Sequence, residues 1–327
     1  MEELKQPKKV FSRLGWCYIA GTVTVYVLQI VIVSLVNMYH PEWLDSIDMT
    51  LIFSSIVTYG CGMPLIVLLA QGMERQTLER HKMKWWQFVV ALLMCYSLMY
   101  VSNIVGTIIT TGIGALKGSE VNNNLVEYVT GGNVLVNFVL MVVVAPVVEE
   151  YVFRKVIVDR TVKYGQGIAI AASGLMFGLF HGNLNQFAYA VGLGAFFAFI
   201  YIKTGNLKIT IGMHAIINFM GSVVAGQLLK LLKYDELLAA EREGMEAMTN
   251  LVMENLGAWV LFGLYGICLF IVVVVGIILF IVFFKRFKVE PGGQIPRGKS
   301  FEVLFLNPGM LTFCIVWLVL IVLQLIM

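Results

Sequence analysis

Long apolar runs separated by short polar segments make up most of the chain. A helix needs about 20 apolar residues to cross the hydrocarbon core of a bilayer, and most of these runs approach that length. Nine runs are candidate spans: residues 15–37, 49–70, 86–108, 133–152, 167–180, 187–202, 209–225, 258–284 and 309–327. The pattern predicts an all-α, polytopic transmembrane helical bundle of about eight or nine spans.

The spacing of the runs predicts four regions. Residues 1–132 hold spans one to three, residues 133–225 hold spans four to seven, and residues 257–327 hold spans eight and nine. The fourth region is the acid-rich segment 226–256, which lies between spans seven and eight. Its apolar residues recur near helical spacing, as in an interfacial amphipathic helix. Spans five and six are short and are joined by the polar sequence 181–186. Their short length and this polar connection predict either two short crossings or a partial hairpin around a water-filled cavity.

Composition supports a membrane protein. The chain is 59% hydrophobic and only 13% charged, whereas a soluble domain has about 25% charged residues. Lysine and arginine concentrate in alternate loops, which predicts a multi-pass protein of the cell membrane with a cytoplasmic N-terminus. The cations are not gathered into a patch of the kind that binds nucleic acid. The expected partners are the lipid bilayer and a hydrophobic or lipid-tethered peptide, and the oligomeric state stays open.

Two adjacent carboxylates, Glu149 and Glu150, follow the apolar run 133–148. An ionised side chain at membrane depth costs about 2.5–3.5 kcal/mol even on the insertion scale, so it needs a partner or a function. Glu150 and Arg154 are four residues apart and share a helix face, which predicts an ion pair. Glu149 points about 100° away and is predicted to be free.

Two histidines lie in apolar surroundings on neighbouring spans. His181 ends span five, and His214 lies within span seven with Asn218 on the same helix face, four residues further on. Together with Glu149, these side chains predict one shared polar site. The other two histidines, His40 and His81, lie in charged loops and are predicted to be solvated.

These residue types suit hydrolysis of a peptide bond. A glutamate in a low-dielectric pocket is a competent general base for water, and a histidine can hold that water from the other side. A second histidine and an asparagine can donate hydrogen bonds to the oxyanion of a tetrahedral intermediate. The same Glu, His, His set could instead bind Zn²⁺, which also activates water.

Other catalytic arrangements are absent from the sequence. There is no HExxH zincin motif and no Gly-x-Ser-x-Gly nucleophile elbow. Ser173 lies among small residues and is interpreted as a packing residue. The five cysteines show no paired spacing, which argues against a disulfide framework or a thiolate metal site and favours small core residues.

Three motifs, taken together and in order, resemble those of the CPBP family of intramembrane endopeptidases, which includes the CAAX prenyl proteases and the bacteriocin-processing and immunity (Abi) proteins. The motifs are Glu149-Glu150-x-x-x-Arg154, Phe177-x-x-x-His181 and His214-x-x-x-Asn218. The resemblance covers about residues 130–225. It implies an all-helical, membrane-embedded endopeptidase whose catalytic core is spans four to seven.

The resemblance also implies roles for these residues. The implied catalytic residues are Glu149, Glu150, His181, His214 and Asn218, with Arg154 and Phe177 in support. Glu149 would activate the water, His181 would orient it, and His214 with Asn218 would stabilise the oxyanion. Members of the family are usually classified as metallopeptidases. In this sequence the implied zinc ligands would be Glu149, His181 and His214. A metal-free glutamate mechanism has also been proposed for the family.

Two alternatives to an endopeptidase remain open. A non-catalytic scaffold or immunity protein could bind a peptide through the same cavity. A proton- or metal-coupled transporter would also use intramembrane glutamate and histidine, although transporters often consist of two related halves and no matching half occurs here. The sequence leaves open whether the substrate is of the prenylated CAAX type or a bacteriocin or pheromone peptide.

Overall fold

The computed structural model describes residues 2–118, 121, 124–292 and 294–326, and these residues are almost entirely helical. The helices of eight or more residues, together with one short helix before the last span, are α1 (Lys5–Tyr39), α2 (Ile47–Ala70), α3 (Trp85–Lys117), α4 (Asn124–Gly131), α5 (Val134–Tyr164), α6 (Gln166–Phe180), α7 (Leu184–Thr204), α8 (Leu207–Leu231), α9 (Tyr234–Glu243), α10 (Met245–Glu254), α11 (Leu256–Arg286), α12 (Ser300–Phe305) and α13 (Pro308–Ile326). The prediction of an all-α polytopic bundle is confirmed.

Eight of the helices in the described part of the chain are long and apolar enough to cross a membrane. The fifth apolar run is the exception, because α6 has only 15 residues. At 1.5 Å per residue it is about 22 Å long, which is less than the roughly 30 Å of a hydrocarbon core. The chain is therefore a multi-pass membrane protein, while the cytoplasmic N-terminus stays a prediction.

The core is organised around α6, which packs along α7 and against the second half of α5. Glycines allow the close approach of α6 to α7. A Cβ at Gly174 would meet the backbone of Ala195, and a Cβ at Gly178 would meet Val191. Small residues four apart are typical of tightly packed helices in membranes. On the outside, α3 covers α7, α11 covers α3, and α1 packs against α2 and α13.

Four stretches of π-helix occur among the described residues: Thr58–Gly62 in α2, Phe138–Val144 and Tyr151–Val156 in α5, and Phe219–Val224 in α8. Such stretches are rare in proteins, and those that occur are often found at functional sites. In α5 the first stretch ends beside Pro146, which has no N–H to continue the α-helical pattern. The α-helical turn that carries Glu149 and Glu150 is thus set between two π-helical stretches.

The boundary predicted at residue 225 falls inside a helix, since α8 continues to Leu231. The rest of the segment 226–256 forms α9 and α10. His40 and His81 are exposed, as the charged loops suggested. All five cysteines are free, but the core interpretation is wrong for two of them. Cys61 and Cys268 are exposed, because apolar helices also direct small side chains outward towards lipid.

Candidate active site

The ion pair expected within α5 is present. Both side chains, Glu150 and Arg154, are completely buried. The Arg154 Nε donates to Oε2 at 3.1 Å and Nη2 donates to Oε1 at 3.0 Å, a bidentate pairing. Two-point contact of this kind compensates both charges in a low-dielectric interior and holds the carboxylate in one orientation.

The rest of the Arg154 guanidinium is held by α6 and α7. Its Nη1 donates to the hydroxyl of Ser173 at 3.2 Å, and that hydroxyl donates to the carbonyl of Phe153 at 2.7 Å. The guanidinium lies 4.6 Å from the ring centroid of Phe177 and 5.6 Å from that of Phe197. The packing interpretation of Ser173 is therefore incomplete, because this buried hydroxyl also positions Arg154 across a helix interface.

His214 connects α8 to both glutamates. Its Nδ1 lies 3.1 Å from Oε1 of Glu150, and its Nε2 lies 3.7 Å from Oε2 of Glu149. Glu150 is ionised by its pairing with Arg154 and can only accept, so the His214 Nδ1 carries the proton and donates. The Nε2 atom is consequently directed at Glu149, at a separation longer than a direct hydrogen bond.

His181 caps the end of α6. Its Nδ1 lies 2.8 Å from the carbonyl oxygen of Phe177, which can only accept, so Nδ1 carries the proton and Nε2 remains available. The Phe177 ring packs edge-on against the imidazoles of both His181 and His214, at centroid distances of 4.7 and 5.8 Å. Phe177 therefore contacts Arg154 and both histidines, and His181 also interacts electrostatically with Glu149.

Asn218 lies one turn beyond His214, at the point where α8 becomes π-helical. Its Nδ2 donates to the carbonyl of Met141 in α5 at 2.8 Å. Met141 itself belongs to a π-helical stretch. One of the two amide N–H groups is thus used to orient the side chain, and the second remains for another acceptor.

Glu149 is not free, contrary to the expectation from the helix geometry of α5 alone. Tyr59 of α2 donates its hydroxyl hydrogen to Oε1 of Glu149 at 2.8 Å. The other oxygen, Oε2, faces His214. Sequence reasoning missed Tyr59, and the only signal was a polar hydroxyl in the middle of an apolar run. The Glu149 side chain is 13% exposed, whereas that of Glu150 is completely buried.

The histidines resemble zinc ligands in one respect, because each donates from Nδ1 to an acceptor and leaves Nε2 available. However, no group of three or more His, Cys, Asp or Glu side chains in the described part of the chain is arranged to hold a metal ion. Glu149, His181 and His214 thus do not form a three-ligand set as placed here.

Comparison with known proteins gives a match to the segment that carries these residues. The family model described as type II CAAX prenyl endopeptidase Rce1-like matches residues 131–220. That segment contains every site residue of the three motifs: Glu149, Glu150, Arg154, Phe177, His181, His214 and Asn218. The match supports the resemblance of this segment to the CPBP family of intramembrane proteases. Tyr59 lies outside the matched segment.

Two relatives support the assignment. The chain is 27% identical over 221 residues to the membrane-embedded CAAX protease MroQ of Staphylococcus aureus (strain USA300), covering 64% of this chain and 88% of the relative. It is 22% identical over 188 residues to YdiL of Bacillus subtilis (strain 168), named as a candidate membrane peptidase, covering 56% of this chain and 71% of the relative. No solved structure matches the chain. Family and relatives together support an intramembrane protease activity, in the hydrolase class.

Proposed function

We propose that this protein is an intramembrane endopeptidase in which Glu149 activates water to cleave a hydrophobic or lipid-tethered peptide. The observation that carries the proposal is the placement of Glu149. One oxygen is held by Tyr59 at 2.8 Å, and the other faces the His214 Nε2 at 3.7 Å. That separation is too long for a direct hydrogen bond, so both atoms remain available to a water molecule.

The proposed reaction begins when Oε2 of Glu149 takes a proton from the water. The water oxygen attacks the carbonyl carbon of the peptide bond, and the carbonyl electrons move onto its oxygen. When the tetrahedral intermediate collapses, the C–N bond breaks and Glu149 returns the proton to the leaving amine. His181, through its available Nε2, accepts a hydrogen bond from the same water and aligns it.

The oxyanion is stabilised by donors on α8. Asn218 offers its second amide N–H, since the first is bound to Met141. His214 donates from Nε2 when its imidazole is protonated, because Nδ1 already donates to Glu150. The buried Glu150–Arg154 pair supports the site, because it holds the carboxylate that orients His214. Preorganised donors of this type lower the barrier most effectively in a site that excludes water.

The exposure of α5 to lipid favours a substrate that arrives within the membrane. On this helix, Val147 and Tyr151 are 47% and 41% exposed. They share a face that is roughly opposite to that of Glu149. An exposed apolar face on a membrane-spanning helix contacts lipid. The Glu149 side chain is itself 13% exposed, so a peptide that partitions into the bilayer, by its own apolar residues or by an attached lipid, reaches it from within the membrane.

The test is a comparison of membrane peptides by mass spectrometry in cells with wild-type protein or with Glu149→Gln. The matched control is Glu254→Gln, which changes an exposed glutamate on α10. We expect cleaved products to disappear and their precursors to accumulate with Glu149→Gln only. Unchanged products with Glu149→Gln would exclude the proposal. A cellular phenotype that persists without cleavage would instead indicate a peptide-binding scaffold.

A further inference from the structure

A cavity of about 360 Å³ lies between α2 and α5, away from the residues assigned to catalysis. Its α2 side is formed by Val67 and by Gln71 and Arg75 just beyond the end of that helix. Its α5 side includes Lys155 and Arg160. The apolar run of α2 ends at this level and gives way to a polar loop, so the cavity lies near the boundary of the membrane.

The charge of the cavity is unbalanced. Three cations line it, Arg75, Lys155 and Arg160, against a single carboxylate, Asp159. Both oxygens of that carboxylate are already bound, one by Lys155 at 2.7 Å and the other by the hydroxyl of Tyr201 at 2.9 Å. Two positive charges therefore face the cavity without a compensating anion from the described residues.

Arg160 is fixed in place although it forms no ion pair with a described carboxylate. Its Nε and Nη2 donate to the carbonyl of Ala70 at 3.1 and 2.8 Å, and Nη1 donates to the carbonyl of Val156 at 3.0 Å. These bonds leave two of its five N–H groups for another acceptor. Arg75 is exposed and is near enough to repel the Arg160 guanidinium. Like charges held together in this way are stabilised by an anion between them.

We propose that this cavity binds the phosphate of an anionic phospholipid. Basic pockets between transmembrane helices at the membrane boundary suit such headgroups. The cavity also includes Tyr151, whose exposed side chain continues the lipid-facing apolar surface of Val147. A bound lipid would thus have its phosphate among the cations and its acyl chains along α5. This neighbouring apolar surface favours a lipid over a free phosphate or an acidic peptide.

Binding of a lipid in this cavity would affect the candidate active site. The same two helices, α2 and α5, carry the cavity and the Tyr59–Glu149 hydrogen bond. Tyr59 and Val67 are eight residues apart, or about 12 Å along the helix. A lipid that holds the two helices together at the cavity would therefore keep Tyr59 against Glu149.

The experiment measures binding and does not depend on proteolysis. The purified protein is titrated with vesicles of phosphatidylglycerol or of phosphatidylcholine, or with inorganic phosphate alone. Thermal unfolding is followed, and retained lipids are counted by native mass spectrometry. Arg75→Gln and Lys155→Gln are compared with Arg286→Gln, which removes a cation at the end of α11, outside the cavity.

We expect phosphatidylglycerol to raise the unfolding temperature of the wild type and of Arg286→Gln more than phosphatidylcholine does. Each cavity variant should bind phosphatidylglycerol about fivefold more weakly, the contribution of one basic residue near an anionic membrane. Equal binding by cavity and control variants would overturn the proposal. So would an equal shift with inorganic phosphate alone, which would indicate a free-phosphate site. Selective lipid binding by a wild-type protein that cleaves no membrane peptide would count against the proposed function only.

Discussion

The hydroxyl of Tyr59 donates a 2.8 Å hydrogen bond to Oε1 of Glu149, across 90 residues of sequence. This bond joins α2 to α5. It orients the carboxylate so that its second oxygen faces His214. A helix that lies outside the segment matched by the family model therefore contributes to the position of the proposed catalytic base.

Tyr59→Phe should lower the turnover number about tenfold. A hydrogen bond to a charged group contributes about 1.5–3 kcal/mol, and its loss frees the carboxylate to leave the reactive orientation. The Michaelis constant should change little, because Tyr59 is proposed to contact the base and not the substrate. Steady-state cleavage of a peptide identified by the mass-spectrometric comparison measures both constants.

Tyr39→Phe is the matched control for this variant, because the Tyr39 side chain is 69% exposed at the end of α1. It should behave as wild type. If Tyr59→Phe retains full turnover, the hydrogen bond has no part in positioning Glu149.

Arg154→Met should destabilise the protein by about 3–5 kcal/mol, because it leaves the carboxylate of Glu150 buried and unpaired. Adding Glu150→Leu should recover much of this loss, since the double variant buries no uncompensated charge in that pair. Thermal unfolding in detergent compares the single and double variants. A double variant no more stable than Arg154→Met would show that the ion pair does not account for the loss.

Asn218→Ala should lower the turnover number about 10²–10³-fold with little change in the Michaelis constant. Loss of one oxyanion donor typically has an effect of this size, because the donor acts mainly in the transition state. Ser222→Ala is the control on the same helix. It removes only the hydroxyl that donates to the Asn218 backbone carbonyl at 2.6 Å. Equal losses in the two variants would indicate a structural role for this part of α8.

Glu302→Gln should destabilise the protein at neutral pH and have a smaller effect in acid. Hydrogen bonds from Lys8 and Lys299 lower the pKa of Glu302 from 4.5 to about 2. A lowered folded-state pKa contributes stability that is present above the unfolded-state pKa and is lost as the pH falls towards the folded-state value. The difference in unfolding temperature between wild type and variant should therefore be constant above about pH 5 and shrink below it.

Salt provides an independent check on this prediction, because exposed ion pairs are screened. The same difference in unfolding temperature should decrease as the salt concentration is raised at pH 7. Glu246→Gln, on the exposed surface of α10, should show neither dependence. A pH-independent effect of Glu302→Gln would mean that its charge is not the source of the stabilisation.

Much of the candidate site could be predicted because it depends on relationships within single helices. Glu150 and Arg154 pair because they are four residues apart on one helix, and the motif that ends in His181 lies within α6 and its cap. The grouping of His181, His214 and Glu149 could also be proposed, since polar groups in neighbouring apolar spans must satisfy each other. Their roles in catalysis stay a prediction.

The sequence by itself determined the helices and the polar residues that they bury, because apolar run length and four-residue spacing are local properties. Only the tertiary structure decided which helices are neighbours. It brought Tyr59 to Glu149, Ser173 to Arg154, and Arg75 to Arg160. The physical reason is that these spans are similarly apolar on most faces, so their hydrophobic pattern holds little information about the partner of each face. That choice is made by close packing, as at Gly174 and Gly178.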